Sequence, residues 1–301
     1  MFTFDLIGLL FVLIAFLSEF TLLLLHTCDK KLKKDMFANF TLGLSIMVVG
    51  LFEKGLAFGL FSLAYHCSLF TPSPSVWLWF AGFLSCELIY YLYHLLEHKV
   101  RIFWAAHITH HSSRYFNFSV GLRNNFIFLF YRFIFWSPLC FFGIPPEMIL
   151  FFESMTAIQN FLIHTEKVGK LGVWDWIFNT PSNHRVHHAS NPEYIDKNLG
   201  GILMLYDHLF GTYQKETVPP VYGITHNIDT NNQLEILFHE YVAIVSEISK
   251  IKTVLQNSDT CFHPRNKVVK YFLATFQIQY VDRFIIIGLC PFGGTADTYQ
   301  P

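Results

Sequence analysis

Charge is scarce in this sequence. Only 14% of its 301 residues are Asp, Glu, Lys or Arg, against about 25% in a typical soluble domain. A chain that is 52% hydrophobic and 18% aromatic, with mean hydropathy +0.37, has too few charges to cover an aqueous surface and reads as a membrane protein. Neither sign dominates: the net charge is −1 and the isoelectric point is near 6.9, so no global field points to nucleic acid. Cysteine patterning is also missing. The six cysteines (Cys28, Cys67, Cys86, Cys140, Cys261, Cys290) form no C-x-x-C and lie outside every histidine motif. No disulfide framework or thiolate metal site is implied. There is no low-complexity tract and no structural repeat. The basic region that a cleaved signal peptide carries ahead of its apolar stretch is absent.

Histidine is what the sequence has in excess, with one repeated spacing. His107, His110 and His111 form H-I-T-H-H, and His184, His187 and His188 form H-R-V-H-H. His94 and His98 precede the first copy. Nine of the fifteen histidines fall between His94 and His188. Residues at i, i+3 and i+4 neighbour one another on a helix, and neutral imidazole is the commonest protein metal ligand. Each box is therefore expected to aim two or three imidazoles at one point. Four ligands satisfy a structural zinc. The surplus fits two metals, each with four or five protein ligands and open positions, and nitrogen donors with open positions suit iron that activates O₂. An apolar setting suits a lipid substrate. Transporters place such groups near the bilayer midplane and a haem needs two axial ligands. Boxes at the ends of segments and nine imidazoles match neither, so a non-enzymatic metal-binding membrane protein is the lesser alternative.

The apolar segments arrange these boxes. Residues 4–25 are long enough to cross a bilayer core of about 30 Å. The lysines Lys30, Lys31, Lys33 and Lys34 follow, which marks that loop as cytoplasmic. Residues 37–70 form either one long tilted crossing or a re-entrant pair. Residues 76–96 run directly into His94 and His98. Residues 126–142 and 147–164 read as a hairpin around Gly143–Pro146, which returns the chain to the face that carries the second box. Residues 232–256 read as an amphipathic helix lying on the membrane. The expected fold is thus an all-α integral membrane protein, with several transmembrane helices and a cytosolic histidine-rich di-metal cap. It divides into N-terminal transmembrane segments (1–75), a catalytic region (76–240) and a C-terminal amphipathic and apolar tail (241–301). The membrane is a bacterial inner membrane or the endoplasmic reticulum, and the compact chain without targeting signals leans toward the former. Glu87 shares a helix face with Tyr91, His94 and His98. It is either an acceptor for the second N–H of a ligating imidazole or a carboxylate at the membrane interface. Glu97 is expected to be a solvated neighbour. Arg123 and Arg132 are expected to snorkel to the interface.

The boxes and their order resemble the sterol desaturase / fatty acid hydroxylase superfamily of membrane di-metal oxygenases. Within it, the stretches F-W-A-A-H-I-T-H-H-S-S (103–113), F-N-F-S-V-G-L-R (116–123), I-H-T-E (163–166), N-T-P-S-N-H-R-V-H-H (179–188), I-D-K-N-L-G-G (195–201) and Y-D-H-L-F-G-T (206–212) resemble the alkylglycerol monooxygenases and their bacterial relatives. The resemblance covers about residues 36–240. It implies two irons held by His94, His98, His107, His110, His111, His184, His187 and His188, and it adds His164 as a ninth ligand. It also marks Glu166, Asn198 and Asp207 as residues around the metals. It implies an O₂-dependent lipid hydroxylase, with tetrahydrobiopterin as electron donor and cleavage of an ether lipid beside its ether oxygen. A desaturase with the same centre is the alternative within the class. Asn183 and Asn160 stand where relatives often carry further histidines, and Glu87 stands where Asp is commoner; Asn160 disfavours a plain fatty acid hydroxylase.

Overall fold

The computed structural model describes residues 29–257 and scattered positions between 10 and 25. The expected span at 4–25 lies almost wholly outside the described residues, as does the tail from residue 258 onward. Among the described residues the architecture is helical, with no strand and two isolated bridges, Phe178 to Leu203 and Ala189 to Tyr222.

Helix α1, Lys30–His66, has 37 residues and is about 55 Å long. Residues 30–66 form one continuous helix rather than a pair of shorter ones. The Asp29 carboxylate caps it by accepting from the Lys31 N–H at 2.8 Å. Helix α2, Val76–Lys99, starts at Ser75, whose Oγ accepts from the Leu78 N–H at 3.2 Å. Both helices are long and apolar enough to cross a membrane. Only 17% of the most apolar window of α1 and 28% of that of α2 are buried. A core helix of a soluble domain would be mostly covered; here Leu51, Phe52 and Trp77 are more than 70% exposed, a surface that calls for lipid rather than water.

Helix α3, Arg101–His111, follows α2 after the single residue Val100. Two 3₁₀ turns (Phe118–Leu122 and Phe126–Phe130) lead into α4, Arg132–Phe141, and α5, Pro146–Leu162. The turn between α4 and α5 needs Gly143, with φ +93°, because a Cβ there would lie 2.6 Å from the Phe70 carbonyl oxygen. Phe61, Cys86, Tyr93, Trp136, Ile149 and Phe152 form the core between α1, α2, α4 and α5. The short helices α6 (Val173–Ile177), α7 (Pro181–His187) and α8 (Leu205–Phe210) follow. Helix α9, Gln233–Asn257, matches the expected amphipathic segment. Its inner face is occupied by protein: Ile236 and Leu237 pack with Ala38 and Leu42 of α1. Arg101 of α3 donates to Glu240 at 2.7 Å and pairs with Glu247.

The two arginines expected to snorkel do not. Arg123 is 1% exposed. It donates to Asn39 Oδ1 at 2.7 Å, to Asp35 Oδ1 at 3.2 Å, to the Thr109 carbonyl at 3.0 Å and to Ser112 Oγ. One guanidinium thereby ties α1 to the end of α3. Arg132 pairs with Glu53 of α1 at 3.1 Å. A charge inside an apolar helix bundle is tolerable only when paired in this way. Arg123→Ala leaves Asp35 buried without its cation and is expected to cost on the order of 3–5 kcal/mol. A thermal melt of the detergent-solubilised protein should show a clear fall in midpoint; an unchanged melt would remove this cluster as a structural tie.

Candidate metal centre

The helical repeat decides where each imidazole goes. Residues i and i+4 of a box lie almost one above the other, whereas i+3 is turned to the other side of that line. His107 and His111 therefore share a site with His94 and His98 of α2, while His110 turns toward a second site. The second box repeats the arrangement in reverse. His184 and His188 join His110, and His187 crosses to the first site. The result is one group of five, His94, His98, His107, His111 and His187, and one group of four, His110, His164, His184 and His188. Within each group the candidate ligand atoms all lie within 4.8 Å of one another. Two imidazoles of each box share a group, as expected, and the third joins the other group, so each box serves both. All nine imidazoles singled out in the sequence are brought together, and His66, His208, His226 and His239 are not.

The outer nitrogens show which tautomer these rings adopt. The Nδ1–H of His94 donates to the Leu199 carbonyl at 2.9 Å, that of His110 to the Arg123 carbonyl at 3.1 Å, and that of His187 to the Lys197 carbonyl at 3.0 Å. His164 does the same to the Asn160 carbonyl. His98 donates to Asp196 at 3.2 Å, and His107 faces Glu97 at 3.4 Å. A carbonyl can only accept, so the proton sits on Nδ1 and the inward Nε2 is a bare lone pair. His164 Nε2 nevertheless lies 3.2 Å from His110 Nε2. Two acceptors at that distance repel unless a cation lies between them. The Nε2 atoms of His98 and His187 are buried without any partner. Protonation is not the remedy. Burial, reinforced by neighbouring imidazoles, holds His107, His110, His111, His184, His187 and His188 well below the ordinary imidazole range, and burial brings His164 down to about 4. The donor set fits two divalent metals that prefer nitrogen.

The carboxylates and amides have roles that spacing did not disclose. Glu87 bonds no imidazole. Its Oε2 accepts the N–H groups of Ile202 and Leu203, both at 2.8 Å, and so anchors the 199–203 loop to α2. Asp207, fully buried, accepts from Leu199 N–H and Gly200 N–H at 2.7 Å each, and from Thr212 Oγ1. That grip fixes the Leu199 carbonyl on which His94 leans. A Cβ at Gly200 would lie 2.7 Å from Asp207 Oδ2, so the close approach requires glycine. Asn198 donates to the carbonyls of Asn183 and Gln214 at 3.0 and 2.8 Å, tying the loop to α7. Glu97 is buried against His107 rather than solvated. Glu166 is exposed and outside both groups. Asp196, which sequence reasoning passed over, holds His98 and pairs with Lys99. Asp196 and Asn198 have φ of 58° and 56°, a left-handed conformation these two residue types accept more readily than most. The only sequence signal for Asp196 was its place inside I-D-K-N-L-G-G.

Two openings reach the imidazoles from different sides. A cavity of about 520 Å³ reaches His94, His107, His110, His164 and His184, and continues past Tyr90, Phe128 and Trp136 to α1 at Met47 and Leu51. A cleft of about 20 Å³ beside Trp104 reaches His98, His111, His187 and His188.

Residues 79–212 match the family model described as fatty acid hydroxylase, and both histidine groups lie inside that stretch. Among curated proteins, the chain is 42% identical over 173 residues to alkylglycerol monooxygenase of Homo sapiens, covering 58% of this chain and 39% of that protein. Its likeness to the alkylglycerol monooxygenase of Caenorhabditis elegans is 40% over 170 residues, covering 56% and 34%. An ornithine lipid hydroxylase of Rhizobium tropici is 31% identical over 162 residues, covering 52% and 48%. The chain thus spans between about a third and a half of the length of these relatives. No solved structure matches.

Asp196→Ala should weaken metal binding about 10–100-fold, as loss of a ligand's outer hydrogen-bond partner typically does. Dialysis against a chelator series reads this, and unchanged retention would remove Asp196 from the site. The metal-free protein should also be acid-sensitive. The depressed imidazoles take up protons near pH 6.5 only when unfolded, so stability is level above about pH 6.5 and falls as pH drops toward 4. Melts of the chelated protein across that window check the sign.

Proposed function

We propose that this chain is a membrane di-iron monooxygenase that hydroxylates a lipid C–H bond, with O-alkyl ether lipids as its substrate class. The carrying observation is the pair of inward-facing imidazole groups, braced from outside by backbone carbonyls, at one end of a lipid-sized cavity. Five nitrogens in one group and four in the other leave coordination positions open, which suits O₂ chemistry rather than a closed structural site. The names of the relatives, alkylglycerol monooxygenase and ornithine lipid hydroxylase, support a lipid substrate and the use of oxygen.

His94, His98, His107, His111 and His187 would hold one iron, and His110, His164, His184 and His188 the other. When bound, the irons supply O₂ activation and removal of hydrogen from an unactivated carbon. The reaction takes up O₂, two electrons and two protons, leaves one oxygen on the carbon and releases the other as water. The protein's own part is placement and exclusion of water. Phe128, Trp136 and the α1 side chains would hold the alkyl chain in the cavity, with the carbon to be attacked beside His107, His110 and His164. Hydroxylation next to an ether oxygen gives a hemiacetal, which collapses to an aldehyde and a glycerol derivative. Tetrahydrobiopterin is the proposed electron donor, acting from the Trp104 side, away from the lipid. The cap faces the cytosol, on the same side as Lys30–Lys34.

The test joins metal analysis to product analysis on the detergent-purified protein. About two irons per chain are expected, with both metal and activity lost in His187→Ala. Incubation with O-alkylglycerols, O₂ and the reduced pterin should release a fatty aldehyde. Full activity in His187→Ala would overturn the ligand assignment, and a new double bond without added oxygen would mark a desaturase instead.

A further inference from the structure

Outside the two long apolar helices, the structure carries a second apolar surface. On α6, Val173, Trp174 and Trp176 are 66%, 55% and 60% exposed; on α8, Leu205, Leu209 and Phe210 are 46%, 67% and 53% exposed. The two helices adjoin. The Met204 N–H donates to the Ile177 carbonyl at 3.0 Å, and the His208 ring donates to the Trp176 carbonyl at 2.8 Å. Phe178 and Leu203 bridge beneath them. These six side chains therefore belong to one face, far more apolar than a cytosolic surface sustains.

The depth of this face is set by its contacts with α2. The Tyr206 hydroxyl donates to the Leu84 carbonyl at 2.8 Å. Phe210 stacks on Tyr91, with ring centroids 5.2 Å apart and planes within 16°. Leu84 and Tyr91 lie well inside Val76–Lys99, about 22 Å and 12 Å along the helix from Lys99. A helix that grips the middle of an apolar span cannot stand above the membrane that surrounds that span.

We propose that α6 and α8 are inserted in the leaflet around the C-terminal half of α2, with Val173, Trp174, Trp176, Leu205, Leu209 and Phe210 against lipid. The occupant of this face is the bilayer itself, because Tyr206 and Phe210 fix the face against α2 within that helix's apolar length. Two tryptophans, with exposed Lys167 and Lys170 just before them, have the composition of an interfacial segment: an aromatic belt at headgroup level and cations toward the lipid phosphates. The catalytic cap is then partly sunk in the membrane. This inference does not depend on which reaction the histidines perform.

The full chain in phosphatidylcholine nanodiscs tests this, with unmodified lipids and with lipids brominated high in the acyl chain. Subtracting the fluorescence of the W174F/W176F variant isolates the two tryptophans. Bromolipid should remove about half of that difference signal, since interfacial side chains sit about 5–10 Å into the headgroup–acyl boundary, and aqueous iodide should leave it untouched. Quenching by iodide and not by bromine would overturn the insertion. Protection from both would also overturn it, because a protein partner and not lipid would then cover the face. Hydroxyl-radical footprinting of the unmodified chain in the same nanodiscs gives a reading that needs no variant. Trp174 and Trp176 should stay unoxidised, and heavy oxidation would count against the proposal.

Discussion

The rest of the structure depends on the repulsion between bare imidazole nitrogens. Carbonyls of Leu199, Asn160, Arg123 and Lys197 each accept an Nδ1–H from outside, so the inner nitrogens of these rings present lone pairs, those of His110 and His164 3.2 Å apart. Burial opposes relief by protonation. A cation bound by each group would turn that repulsion into attraction, and metal binding would thereby stabilise this part of the fold. The backbone around the histidines is built accordingly: α3 and α7 are short, and loops braced by Glu87, Asp207 and Asn198 supply the carbonyls.

The membrane explains the division of labour among the helices. Helices α1 and α2 present largely apolar exteriors, and α1 turns Glu53 and Asp35 inward, where Glu53 meets Arg132 and Asp35 meets Arg123. Arg123 is the joint between the two regimes. Its side chain holds α1 to the end of α3, while its own carbonyl orients His110. The long cavity follows the same logic, with imidazoles at one end and aromatic and aliphatic walls leading to α1.

Whatever was periodic was legible in the sequence. The two boxes, the His94–His98 pair, the α2 span, the α4–α5 turn at Gly143–Pro146 and the helix over 233–257 follow from 3.6-residue spacing, apolar length and turn chemistry. His164 carries no spacing signal, because a single imidazole at the end of α5 looks like any other; resemblance alone singled it out. Partners that meet across the fold left no local trace. Glu87 grips a loop 115 residues away, and Asp196 meets a histidine 98 residues earlier. Arg123 and Glu97 were misjudged for one reason. A charged residue beside an apolar segment is usually at the surface, and only the packed structure reveals the opposite charge or imidazole that lets it be buried.

The doublets His110–His111 and His187–His188 each place one ring in each group. Neighbouring α-carbons are separated by about 3.8 Å of rigid covalent chain, so the main chain acts as a ruler between the two sites. The covalent link therefore limits how far apart the two groups can lie, together with the helices that supply the other ligands. Drift in loops or lipid thickness can tilt the cap without changing that limit. The same ruler forbids gradual divergence: neither site can move alone, and a one-residue insertion in either doublet would unmake both at once.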